Sequence, residues 1–202
     1  MTDNRFEELP MMKLKIICIL SAIICVSISG NCHASATMVN GTEFSNSVEV
    51  RGTRLQLSGA ALLRYMFLIE AYTGALYLPE KTDGPNALDD ISKHLILEYR
   101  VALSSDDFAK ATMEKIKGSV SKEAFQRLLP KIKALNRLYK DVQPKDRYAL
   151  TYLPGVGTQL TLNAEPLGTI EGSEFARAVF AIWIGKNPID KTFRDRLLGK
   201  SK

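Results

Sequence analysis

"GAALLRYMFLIEAYTGALYLPE", residues 59–80, is almost wholly apolar or aromatic, yet it carries Arg64 and Glu70. A guanidinium keeps its charge in a protein, and leaving one unpaired among apolar groups costs on the order of several kcal/mol. Arg64 must therefore reach water, pair with Glu70 or another acid, or serve an anionic ligand. Alternation of side chains places Arg64, Glu70 and Tyr72 on one face of a strand, provided no bulge intervenes. In a single straight strand Arg64 and Tyr72 lie about 26 Å apart, at roughly 3.3 Å per residue, too far to hold one small group. If the chain doubles back midway they become cross-strand neighbours. A guanidinium fork beside a phenol then suits a carboxylate, with the apolar residues burying a hydrocarbon tail. On the residues alone, an internal Arg64–Glu70 ion pair or an Arg64 reaching solvent is the simpler outcome.

Outward from this stretch, the pattern is strands, helices, strands, helices. "SVEVRGTRLQLSGAALL" alternates Val48, Val50, Leu55 and Leu57, punctuated by Gly52 and Gly59, and "IEAYTGALYL" continues as a second strand. "EKTDGPNALDD" reads as a turn with a short helix, and "HLILEYRVAL" as a strand ending where Ser104 or Ser105 can cap the next helix. Apolar residues three and four apart predict helices in "DDFAKATMEKIKGSV" and "SKEAFQRLLPKIKALNRLYKDV", the second kinked or divided at Pro130. Period two returns in "RYALTYLPGVGTQLTLNAEPLGTIEG" as a hairpin with a further turn near Asn163 to Pro166. "SEFARAVFAIWIG" predicts a buried helix capped by Ser173 and stopped by Gly185, and "NPIDKTFRDRLLG" a short terminal helix. The sum is an α+β domain, an antiparallel sheet covered by helices.

The N-terminal region has the layout of a signal peptide: Lys13 and Lys15, an apolar run from Ile16 to Ile28, then "ASA" ending at Ala36. Residues 1–36 are read as that signal and 37–202 as one domain, exported to the periplasm or secreted. Asp3, Glu7 and Glu8 suit a positive leader poorly, so Met11 or Met12 offers an alternative start. The apolar run is shorter than the roughly 20 residues of a spanning helix. Cys32 as a lipid carrier is disfavoured by bulky Asn31 before it. All three cysteines precede Ala36, so the mature chain has no thiol for disulfides, nucleophilic catalysis or metal binding.

Lys plus Arg exceed Asp plus Glu by five (27 minus 22), a balance compatible with anionic ligands or transient contact with a membrane surface. The bases are interspersed with acids in amphipathic helices, and no nucleic-acid partner is expected. His94 is the one histidine after Ala36, so a serine triad or a histidine metal site lacks its parts, and His94 reads as a surface residue. No metal and no cofactor are expected. "GVG" at 155–157 lies between strands and reads as a turn, while Trp183 reads as core.

"LSGAALLRYMFLIEAYTGALYLPE", "LNRLYKDVQPKDRYALTYLPGVGTQLTLN" and "GSEFARAVFAIWIG" followed by "NPIDKTFRDRLLG" resemble the bacterial chalcone isomerase-like proteins over nearly the whole mature chain. The resemblance implies an open-faced β-sandwich, a large antiparallel sheet packed against helices around a hydrophobic cleft. Arg64 matches the arginine of the plant isomerases and Tyr72 stands best for their threonine, with Thr73 one residue off. Their helical tyrosine and asparagine become Phe108 and Lys115, and their late hydroxyl falls near Ile182. Noncatalytic plant relatives bind fatty acids through an arginine and a tyrosine, which makes Arg64, Tyr72 and Thr73 the expected ligand-binding residues here. The leading expectation is a noncatalytic binder of a small apolar anion such as a fatty acid. An isomerase or intramolecular lyase acting on an unsaturated ketone, with Arg64 stabilising an oxyanion, is the alternative, and an envelope scaffold with a self-filled cleft is a third.

Overall fold

A computed structural model describes residues 35–66, 68–82 and 84–200. The expected signal segment lies outside them except for Ser35 and Ala36, and so do all three cysteines. Seven strands form one antiparallel sheet in chain order: β3 (Ser47–Val50), β4 (Thr53–Tyr65), β5 (Ile69–Leu78), β6 (Lys93–Tyr99), β7 (Arg147–Leu153), β8 (Gly157–Leu162) and β9 (Glu165–Ile170). Every strand joins its sequence neighbour, and most of the links are tight turns. The longest excursion, between β6 and β7, carries helices α1 (Ser105–Lys117) and α2 (Lys122–Asn136). Helices α3 (Ser173–Ile184) and α4 (Lys191–Leu197) follow the last strand. The expected α+β class, a curled antiparallel sheet with four helices, is what the chain forms.

Alternation decides which side chains meet the helices. On β6, Lys93, Leu95, Leu97 and Tyr99 are buried while His94, Ile96 and Glu98 face the other way. The helix side holds the main core, in which Leu95, Leu97, Leu150 and Leu160 meet Ile116, Ile132, Phe175 and Val179. The opposite face is partly covered by a hairpin absent from the sequence reading, β1 (Ala36–Val39) and β2 (Thr42–Ser45). Its Phe44 packs on Leu55, Ala75 and Tyr77.

Local chemistry departs from expectation at several points. Helix α2 runs unbroken through the exposed Pro130, so the residue neither ends nor divides it; the buried stripe Phe125, Leu128, Ile132 and Leu135 holds both halves on one core. Strand β6 stops at Tyr99, although the Arg100 N–H still reaches the Ala71 carbonyl of β5. Ser173 is the first residue of α3 and makes no capping bond; the cap is Gly172, at φ +104°, a conformation L side chains rarely adopt. Ser104, by contrast, caps α1 in a reciprocal box with Asp107. His94 is half-buried within the sheet, its Nδ1 2.7 Å from the Thr151 hydroxyl, and not a solvated surface residue.

Candidate functional site

The chain does double back within the opening stretch: β4 and β5 are partners in a hairpin whose turn lies between Tyr65 and Ile69. Its register pairs Leu63 with Tyr72 and Arg64 with Glu70, so Ala71 is the extra residue of a bulge. That one residue breaks the alternation that would have kept Arg64, Glu70 and Tyr72 on one face. Tyr72 turns to the helix side, whereas Arg64 and Glu70 sit together on the other. Thr73, next along, is buried on that other side and donates to the Thr42 hydroxyl at 3.0 Å. The three expected ligand residues are therefore divided by the sheet.

Arg64 meets Glu70 at 3.1 Å, and the same carboxylate takes Arg100 at 3.1 Å and the Asn40 amide at 3.0 Å. Two guanidiniums on one acid leave a local positive excess.

On the helix side the sheet and α1 border a partly open cavity of about 600 Å³, within the roughly 300–1,000 Å³ of ligand sites. Its walls are mainly apolar, with Leu63, Leu97, Leu150 and Ile182 among them. One face of α1 contributes Phe108, Ala111, Thr112 and Lys115, at the three- and four-residue spacing that aligns side chains along a helix. Lys115 is the wall's one basic side chain among the described residues and Asp107 its one acid.

The polar content is chiefly phenolic. Tyr72, Tyr99, Tyr139 and Tyr148 line the space, with Tyr72 and Tyr99 edge to face at 5.5 Å and Tyr99 and Tyr148 at 6.0 Å. Tyr148 is committed to the backbone, donating to the Lys140 carbonyl and accepting its N–H. Tyr139 shares a 2.9 Å bond with Thr112. Tyr72 accepts the Trp183 indole N–H at 3.0 Å, which leaves its own proton to give. The Tyr99 hydroxyl has no hydrogen-bond partner among the described residues. Burial raises the pKa of Tyr72 well above the usual phenol value, partly opposed by the Trp183 bond. Burial also raises that of Tyr99, reinforced by the neighbouring phenols. Both remain O–H donors across the physiological range. The arrangement can orient an oxygen acceptor at one place in a cavity that otherwise favours hydrocarbon.

A family described as chalcone isomerase-like matches residues 36–199. The chain belongs to the chalcone isomerase-like family. No curated protein gives a match to it. Among solved structures it is similar in fold to a fatty-acid binding protein of Arabidopsis thaliana, at 16% identity and a TM-score of 0.67, over 82% of this chain and 96% of that one. Of the three residues expected to bind a ligand, Tyr72 is among those that line the cavity, while Arg64 and Thr73 are not. Tyr99, Tyr139, Tyr148 and Lys115 were not singled out as ligand residues by the sequence. Tyr99 and Tyr148 left only alternation on β6 and β7, which marks core and cavity alike, and Lys115 only its place opposite the plant isomerases' asparagine.

Proposed function

We propose that this protein is a noncatalytic binder of a fatty acid or similar long apolar acid, exported to the periplasm or secreted. The apolar cavity carries the reading, since it offers room for an acyl chain and two phenol protons without acceptors among the described residues. The fold likeness to a plant fatty-acid binding protein supports it. The head-group oxygen accepts from Tyr72 and Tyr99, and Lys115 supplies the countercharge in the wall. The basic, apolar and "ASA" segments ahead of Thr37 support export. The isomerase alternative draws less support, because it places a substrate oxygen at Arg64 and Arg64 lies outside the cavity wall, on Glu70.

Titration with palmitic acid and with hexadecanol, read by displacement of a fluorescent fatty acid, tests this reading. Ala111 is exposed on α1 yet lines the cavity, so Ala111→Trp should fold and obstruct entry, weakening both ligands by about tenfold or more. Tyr99→Phe should weaken both by about threefold to tenfold, the worth of one hydrogen bond. Lys115→Met should weaken the acid and spare the alcohol. Failure of both ligands to bind, or equal binding in Ala111→Trp, would sink the proposal.

A further inference from the structure

The cavity wall continues directly into the most apolar exposed surface of the described chain. Six large hydrophobic side chains stand exposed, and four belong to the β4–β5 turn: Tyr65 at 61%, Met66 at 70%, Leu68 at 88% and Ile69 at 48%. Tyr65 and Ile69 also line the cavity, so tip and wall are continuous. We propose that this tip docks on an anionic lipid bilayer and holds the cavity against the membrane surface.

Shape and charge favour lipid as the occupant. Four exposed apolar side chains sit together at the end of the β4–β5 hairpin, a patch that a fluid bilayer accommodates without a complementary groove. Arg64, half exposed at 52%, and Arg100 sit at the base of the tip and share the single acid Glu70. That leaves positive charge where anionic head groups would lie once the tip enters the acyl boundary. Tyr65 has the apolar body and polar end that suit this interface. Among the described residues no helix is long and apolar enough to cross a membrane, so the contact is with one leaflet. One turn gives modest, reversible binding. Docking rests on this surface alone; that a docked cavity exchanges an acyl chain with the bilayer rests on the proposed function.

The full chain, recovered as the producing cell processes it, is floated with vesicles of phosphatidylcholine plus phosphatidylglycerol and with phosphatidylcholine alone. The wild type should float with the anionic vesicles, and Met66→Asp with Leu68→Asp should lower its partition by about tenfold or more. Arg64→Gln should lower it several-fold on anionic vesicles and little on neutral ones. Neither Met66 nor Leu68 is a cavity wall residue, so bound acyl chain seen by native mass spectrometry should persist in the double variant. A wild type that does not float, or a double variant that floats equally well, overturns the docking proposal. Absence of flotation together with photocrosslinking from position 68 to a protein overturns it in favour of a protein partner. Flotation of an empty wild type that the double variant loses supports docking and counts against the ligand reading alone.

Discussion

Two tyrosines that touch edge to face should respond to the same substitution in opposite ways. Tyr72→Phe removes the acceptor of the buried Trp183 N–H, which should cost about 1–3 kcal/mol and lower Tm in the ligand-free protein. Tyr99→Phe removes a hydroxyl with no partner among the described residues, so stability should stay the same or rise, while ligand affinity falls. Equal losses of Tm in the two variants would show that Tyr99 is held by the protein and is not offered to a ligand. Sequence reasoning found Tyr72 and the Arg64–Glu70 pair because an aromatic and two charges stand out in an apolar run. It could not see that the Ala71 bulge sends Tyr72 to one side and Arg64 to the other, since a one-residue bulge leaves no compositional mark and reverses every later assignment of face. Tyr99 was hidden for another reason: a tyrosine that fills a core and one that borders a cavity occupy the same place in an alternating pattern.

At the scale of elements, Gly59 shows what a strand glycine is for. A Cβ there would lie 2.0 Å from the Arg196 carbonyl oxygen, so its absence lets the end of α4 rest on β4. Gly59→Ala should displace α4, whose Phe193 packs edge to face on Tyr72 at 5.6 Å. It should lower stability by roughly 3 kcal/mol, read by denaturant unfolding; a loss under about 0.5 kcal/mol, the range of a neutral surface change, would show that α4 moves freely. The strands and helices themselves were legible because alternation and three–four spacing are strong, as in "IEAYTGALYL", which is β5 to the residue. The β1–β2 hairpin was missed because only Phe44 and Val39 give it apolar contact with the sheet, its other ties being hydrogen bonds such as Thr42 to Glu98. His94 was misjudged because its neighbours in sequence are polar or point to the other face. Its burial lowers the pKa to about 4 from 6.5. Between those values the unfolded chain binds the extra proton, so stability is fully present above about pH 6.5 and falls as pH drops toward 4, by up to about 3 kcal/mol. His94→Gln should flatten that part of the pH profile; a wild-type profile already flat there would remove the claim.

Over the whole molecule the sheet separates two environments. One side carries the β1–β2 hairpin and the polar links Thr42–Thr73 and Thr42–Glu98, and the other carries helices and a cavity that the protein does not fill. A sequence can announce that a sheet is buried on a face, but whether the covering helices close on it or stand off depends on the summed size of some twenty side chains from seven elements. Standing off forgoes packing energy, so an occupant should stabilise the fold by mass action. The most direct test is native mass spectrometry of the protein recovered without detergent, beside Ala111→Trp. An added mass of an acyl chain is expected on the wild type and none on the variant. A wild type that carries nothing and takes up no palmitic acid when offered it would show that the cavity is not a fatty-acid site.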